Sequence, residues 1–424
     1  MNNFILMALH FARAILVVSL FGSAGLAAAQ NAMILPKAGV AYYHIPVCPG
    51  PANAGTVRCH AHVLTDIKGV PQATKAGGSG TPVLPSSGFG SPQFQGAYGL
   101  SGLSGSPGSG MTVAIVDAYD NPRAEQDLAY YSTAWGLPSC TTANGCFRKV
   151  NQNGGTNYPR ANAGWALEIA LDVQTVHAVC PNCRILLVEA SSSSISNLLA
   201  AENYAAAHAN VVSNSWGSSE FSGEASYDTY FGRVLTTVSS GDSGYGAQWP
   251  AASRNVIAVG GTTLMLSVTG SSYTRYSEAV WSGSGSGCSK YLPQSVWQSN
   301  YFLIHGNPSP SCNNRVIADV AADADPGTGA AVYDSYGYNG QSGWFVVGGT
   351  SLASPIIAAI YAMAGNGLDT ASIYRNVNYG STIYDVKSGS NSNSGCSDNL
   401  CSGLPGFDGP SGLGTPIGVG AFTP

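Results

Sequence analysis

Short apolar runs and helical stretches alternate along this chain from Met111 onward, which predicts an α/β fold: a parallel sheet with helices on both faces. Two further observations agree. The runs are rich in Val, Ile and Ala and stop at turn residues, as strands buried in a parallel sheet do. The 424 residues are 44% hydrophobic with seven Trp, enough to pack a core despite much Gly and Ser.

In order, the apolar run at 112–116 predicts a first strand ending at Asp117, followed by a helix over about 123–135 and a second helix through 164–177. A strand at 184–187, a helix at 195–208 and strands at 211–215, 234–239 and 256–259 come next. Near the C-terminus an apolar strand runs through Gly348-Gly349 into a helix that begins around Ser351. Chemistry-bearing loops are expected at the carboxyl ends of the strands.

Glu168 and Asp172 are the only formally charged residues between Arg160 and Arg184, and their spacing puts both on one helix face. Two like charges one turn apart repel, so either that face is solvated or the pair does proton chemistry. The later motifs favour chemistry. Ser351 opens a helix, where backbone N–H groups favour developing negative charge and the glycines admit a substrate; its ordinary alternative is a helix cap. Asp242, in Ser239-Ser-Gly-Asp242-Ser-Gly, reads alone as a turn residue.

Together, Glu168-x-x-x-Asp172, Ser239-Ser-Gly-Asp242, Gly348-Gly-Thr-Ser351-Leu-Ala-Ser-Pro355, and a terminal Asp385-Val with Gly406-Phe-Asp408 resemble the sedolisin family of serine-carboxyl peptidases, subtilisin-like in fold. The resemblance spans about Gly88 to the C-terminus. It implies Ser351 as nucleophile, Glu168 as general base, Asp172 as the partner orienting Glu168, and Asp242 in the oxyanion hole. It also implies Ca2+ held by Asp385 and Asp408 with main-chain oxygens of Val386, Leu404 and Gly406, although the loop between them, with Cys396 and Cys401, departs from the family's spacing. Ser215-Trp216-Gly217 would be the edge against which an extended peptide pairs. The implied protein is a monomeric serine-type endopeptidase acting on polypeptides. The alternative from another class is an inactive relative that binds peptides or surfaces.

A Glu base fits acid action, because carboxylates titrate near pH 4 where imidazole titrates near about 6.5. Asp242 must be protonated to donate to an oxyanion, which low pH favours. No His follows Ser351, which excludes a nucleophile-elbow hydrolase. A Ser/His/Asp triad would use Asp117 with His177 or His305. His177 falls across the helix from Glu168 among apolar residues, His305 falls in a loop, and Asp117 is left without a role.

Residues 1–29, with Arg13, an apolar run and Ala27-Ala-Ala, read as a signal peptide, so the protein is expected to be secreted and free of membrane after cleavage. Residues 30–87 read as a short N-terminal segment with a Gly/Pro/Ser-rich linker, and 88–424 as the peptidase domain; the linker suggests self-cleavage within 86–99. Ten cysteines fall into neighbours: Cys48/Cys59, Cys140/Cys146, Cys180/Cys183, Cys288/Cys312 and Cys396/Cys401. Cys180 and Cys183 close a helix rather than open one, unlike a reactive redox pair. With 9% charged residues, a net charge of −5 and no basic run, nucleic acid is not an expected partner.

Overall fold

The computed structural model describes residues 32–34, 42–74, 82–309, 311–392, 396 and 399–424; the signal-peptide reading of 1–29 lies outside them. In chain order the strands are β1 (Ala32–Ile34), β2 (Tyr43–Pro46), β3 (Arg58–Cys59), β4 (His62–Thr65), β5 (Thr112–Ala118), β6 (Phe147–Asn151), β7 (Arg184–Ala190), β8 (Val211–Asn214), β9 (Trp216–Ser219) and β10 (Leu235–Ser239). There follow β11 (Gln248–Trp249), β12 (Ile257–Thr269), β13 (Ser272–Val280), β14 (Gly287–Pro293), β15 (Asn314–Ile317), β16 (Val320–Asp323), β17 (Ala330–Tyr338), β18 (Gln341–Gly348), β19 (Ile383–Tyr384) and β20 (Thr415–Pro416). The α-helices are α1 (Ser91–Ala97), α2 (Ala124–Trp135), α3 (Ala163–Val179), α4 (Ile195–His208), α5 (Val296–His305), α6 (Thr350–Ala364) and α7 (Ser372–Arg375).

The central sheet has the order β1-β12-β10-β8-β5-β7-β6, with β13 and β16 also on β12. From β6 through β10 and onto the start of β12 every pairing is parallel; Val113 faces Ile185 on one side and Val211 on the other. Residues 113–116 are fully buried, which is why this strand is a continuous apolar run instead of an alternating one. Helices flank the sheet as the alternation predicts: α3 and α6 pack on each other and reach β5, while α4 packs on β5 and β7.

One expected strand, 256–259, is the start of a 13-residue strand that turns back through β13. Gly260 and Gly261 hide it in the sequence. They are needed there because a Cβ on Gly260 would lie 2.0 Å from the Pro410 carbonyl oxygen, and one on Gly261 2.6 Å from Ala324 Cβ. All five neighbouring cysteine pairs form the expected disulfides.

A second sheet, β17-β18-β4-β2, is antiparallel and carries the N-terminal stretch onto the strand that leads to Ser351. Farther on, residues 91–97 are helical, and Phe94 and Tyr98 are fully buried. A bond in that helix is not presented to a peptidase in the folded chain.

A buried ion pair fastens β15 to β12. Arg315 Nη1 donates to Asp319 Oδ1 at 2.7 Å, both side chains are fully buried, and Asp319 Oδ2 accepts the Ala258 N–H at 2.7 Å. Asp319→Ala is expected to cost about 3–5 kcal/mol, because it strands a desolvated guanidinium. Urea unfolding checks this; a loss below about 1 kcal/mol would contradict it.

Candidate active site

Helix α3 begins where the Asn162 side chain accepts the Trp165 N–H at 3.1 Å, and from Trp165 to Val179 every residue is buried. Its Glu168/Asp172 face is therefore an interior face. Opposite, β18 ends at Gly348 and α6 starts at Thr350, which sets Ser351 in the first turn. The end of β10 delivers Asp242, and the end of β5 delivers Asp117.

Glu168, Asp172 and Asp117 are all fully buried, and among the described residues no hydrogen bond of good geometry reaches their oxygens, although the Ser351 hydroxyl lies near enough to Glu168, and the Ser215 hydroxyl to Asp172, to act on them. Burial of that kind favours the protonated form of a carboxyl. Burial pushes Glu168 well above its ordinary pKa, the charges of Asp172 and then Asp117 push the same way, and the Ser351 hydroxyl pulls against them. Burial likewise raises Asp172, against the pull of the Ser215 hydroxyl. Asp117 is raised by burial and by the charges of Asp172 and Glu189. The three titrate as a set, with no private pKa for any member.

Ser351 is fully buried; its Oγ donates to the Ser215 carbonyl at 3.2 Å and its N–H donates to the His60 carbonyl at 3.2 Å. Asp242 Oδ1 accepts from the Thr350 N–H at 2.8 Å and the Thr350 hydroxyl at 2.7 Å. Among the described residues no donor reaches its buried Oδ2, and burial pushes the pKa up to about 7. Gly349 (φ +98°) brings the parts together. A Cβ there would stand 2.1 Å from the His60 carbonyl oxygen and 2.5 Å from Asp242 Oδ2, so both oxygens rest on one bare backbone face.

Residues 108–387 of this chain match the subtilase family. The chain belongs to the subtilase family. Among its relatives, sedolisin of Pseudomonas sp. is 30% identical over 72% of this chain and 56% of its own length. Kumamolisin of Bacillus sp. is 29% identical over 74% of this chain and 60% of its own length. Xanthomonalisin of Xanthomonas sp. is 26% identical over 76% of this chain and 44% of its own length. The chain thus spans about half the length of these relatives. The solved structure of Pseudomonas sedolisin, a serine-carboxyl proteinase complexed with two molecules of pseudo-iodotyrostatin, superposes with a TM-score of 0.65 at 29% identity, covering 79% of this chain and 96% of that one.

In this subtilase the four residues expected from the motifs thus lie in one buried group. Sequence reasoning missed three members. Asp117 closes the first strand of the sheet, the place where chemistry was expected, but carries no motif of its own. Thr350 sits inside the Gly-Gly-Thr-Ser motif and takes hold of Asp242. The His60 carbonyl comes from far upstream and leaves no signal in sequence. The two candidate triad histidines have other partners: His177 Nε2 lies 2.8 Å from the Pro138 carbonyl, and His305, expected in a loop, ends α5 and stacks on Tyr301.

At the C-terminus, pairing of β19 with β20 brings Asp385 beside the 404–408 turn. Gly406 N–H donates to Asp385 Oδ1 at 3.1 Å, Leu404 N–H to Asp408 Oδ2 at 3.0 Å, and Ser411 N–H and Oγ to Asp408 Oδ1 at 2.9 Å. Val386 is buried beside them. Burial, and further down the charge of Asp385, push Asp408 up to about 8. Two neighbouring carboxylates under that pressure suit a hard cation. A separate Cys140–Cys146–His177 cluster does not, because its sulfurs are joined in a disulfide.

Proposed function

We propose that this subtilase is a secreted serine-carboxyl endopeptidase that cuts polypeptides in acid through Ser351. One observation carries the reading: the Ser351 N–H points at a carbonyl oxygen that shares the bare face of Gly349 with Asp242 Oδ2, and the buried Glu168 feels both the Ser351 hydroxyl and Asp242. That is the arrangement acyl transfer needs, a nucleophile, a base and two groups that can face a developing oxyanion.

Glu168 takes the Ser351 hydroxyl proton as Oγ attacks the scissile carbonyl. Asp172, with Asp117 behind it, shares the proton load, so the charge on Glu168 is not opposed by two more carboxylates. The Ser351 N–H and a protonated Asp242 donate to the oxyanion. Glu168 then hands its proton to the leaving amine, and water, activated by Glu168, hydrolyses the ester. Burial keeps protons on Asp172 and Asp242 in mild acid and raises Glu168 too, so the base acts from the state of the set in which Asp172 and Asp117 hold the protons and Glu168 is ionised.

The deciding experiment is hydrolysis of an unfolded protein between about pH 3 and pH 8 by the wild-type chain and Ser351→Ala. Acid-limited cleavage that Ser351→Ala removes is the expected result; a neutral optimum that survives Glu168→Ala would overturn the Glu base.

Secretion is supported by five disulfides, which persist in oxidising surroundings. Among the described residues no helix is long and apolar enough to cross a membrane. For calcium, Asp385 and Asp408 would be the charged ligands, with carbonyls of Val386, Leu404 and Gly406 completing the set; the ion would supply charge that lets both carboxylates ionise side by side. Chelation is expected to lower the melting temperature, and Asp408→Ala to remove that response in a calcium titration followed by calorimetry.

A further inference from the structure

Ser351, Glu168, Asp172 and Asp117 have no contact with solvent in the folded chain, so protons reach these acids only through the protein. A second group of ionisable residues lies directly beside them. On β7, Glu189 stands opposite Asp117 of β5 in the parallel register, and Asn151 of β6 flanks it on the other side. Paired residues of neighbouring strands show their side chains on one face of the sheet, here the face that α3 covers. Lys149, two residues before Asn151, shares that face.

Glu189 is fully buried and has no part in the acyl-transfer steps. Its Oε1 accepts the Asn121 N–H at 3.0 Å and lies 3.5 Å from Lys149 Nζ. Among the described residues no donor reaches its Oε2 or either oxygen of Asp117, and the charge of Glu189 acts on Asp117. On the outer side the Asp120 carboxyl comes within hydrogen-bond reach of Glu189, and Lys149 Nζ donates to Asp120 Oδ1 and to the Asn121 carbonyl. Here the row meets water. The Lys149 and Asp120 side chains are 14% and 13% exposed, against 0% for Glu189, and both line a surface cavity of about 920 Å³ together with Thr156 and Tyr158.

We propose that Glu189, entered from the Lys149–Asp120 pair, is a proton passage that joins the acids behind Ser351 to solvent from the β6 edge of the sheet, so that they exchange protons while a substrate closes the cleft. The passage rests on the reading of Glu168 as base for its use, though not for its path. One proton moves per event. Water in the cavity gives a proton to the Asp120 carboxylate, the Asp120 carboxyl passes one to Glu189, and Glu189 releases the one it held to an ionised Asp117; no bond between heavy atoms changes.

The surroundings of Glu189 suit that task. Burial keeps a proton on it, with the pKa pushed up to about 9, so in acid it is a loaded donor. Once the proton has gone, the Lys149 ammonium 3.5 Å away steadies the anion, a help that a buried carboxylate without a cation lacks. The Asn121 N–H holds the carboxyl in place, and the Asn121 side chain is fixed on the Ala166 carbonyl of α3 at 2.9 Å, two residues before Glu168. Passage and base are therefore anchored to one helix. The ionisable groups facing Glu189 are Asp117 from β5, Lys149 from β6 and Asp120 from the loop after β5, with Asp172 of α3 beyond Asp117.

Hydrogen exchange at the carboxyls tests the passage in the full chain, with Ser351→Ala throughout so that nothing is cut. The infrared C=O stretch of a protonated carboxyl shifts when deuterium replaces its hydrogen, and Asp117→Asn and Asp172→Asn identify the bands of the set. After transfer to heavy water at about pH 4, Glu189→Gln should slow exchange of those bands at least about tenfold and Lys149→Met at least about threefold, with amide exchange in β5 and β7 unchanged. Glutamine keeps the volume and the acceptor for Asn121 but carries no acidic proton. A residue that only supports the fold gives the reverse pattern, since loosening speeds exchange at carboxyls and amides together. Equal carboxyl rates in the variants, or no protonated band that Asp117→Asn or Asp172→Asn removes, overturns the passage. If the wild-type chain cuts no polypeptide at any pH while Glu189→Gln still slows exchange, the peptidase reading falls and the passage stands.

Discussion

Glu168→Gln is expected to lower kcat by about 10²–10⁴-fold, and Ser351→Ala on the order of 10⁶-fold, with the double variant no worse than Ser351→Ala alone. Glutamine keeps the volume of the side chain and removes only its ability to take a proton. Because the proposed mechanism has the two residues act in one proton transfer, their losses are not expected to add. The same substitution has an opposite effect on stability, which separates lost chemistry from lost structure. Glu168 is a buried acid with a pKa raised above its ordinary 4.5. Such a group favours the fold below its unfolded pKa and works against it as pH rises through the folded one. Glu168→Gln should therefore melt higher than wild type, by a margin that grows from about pH 4.5 upward. Single-turnover kinetics and melting curves on one preparation check both halves.

The second large effect belongs to Asp242. Asp242→Ala should cost about 10²–10³-fold in kcat at acid pH, the usual loss when an oxyanion donor is removed. Asp242→Asn is the more informative change, since an amide donates at any pH. Wild type should lose activity as pH rises through the Asp242 pKa, which burial holds at about 7. The alkaline limb therefore lies at or below about 7, and Asp242→Asn should move it upward. A limb that stays in place would assign it to another group.

Much of the fold was legible because buried parallel strands are plain apolar runs, and α4 falls where its periodicity puts it, at Ile195–His208. The strand through Gly260 and Gly261 was obscured, since close approach of other backbone demands glycine where strand propensity would ask for a branched residue. At the site, Glu168, Asp172, Asp242 and Ser351 stood out because each sits in a short local pattern. Asp117 and the His60 carbonyl did not, since their places depend on contacts across the fold. A main-chain oxygen has no residue type to betray it, so the partner of the Ser351 N–H was invisible to motif reasoning.

The buried acids outside the site add a consequence of their own. Glu202 and Asp127 are raised to about 7 and Glu189 to about 9, each by burial first. Like Glu168, they favour the folded body below their unfolded pKa values and weaken it as pH rises toward neutrality and beyond. The buried His60 and His62, held down at about 3 by burial, respond with the opposite sign. Lowering the pH thus firms the body at its acids while weakening it at these histidines, so the medium alone redistributes stability between parts of one chain.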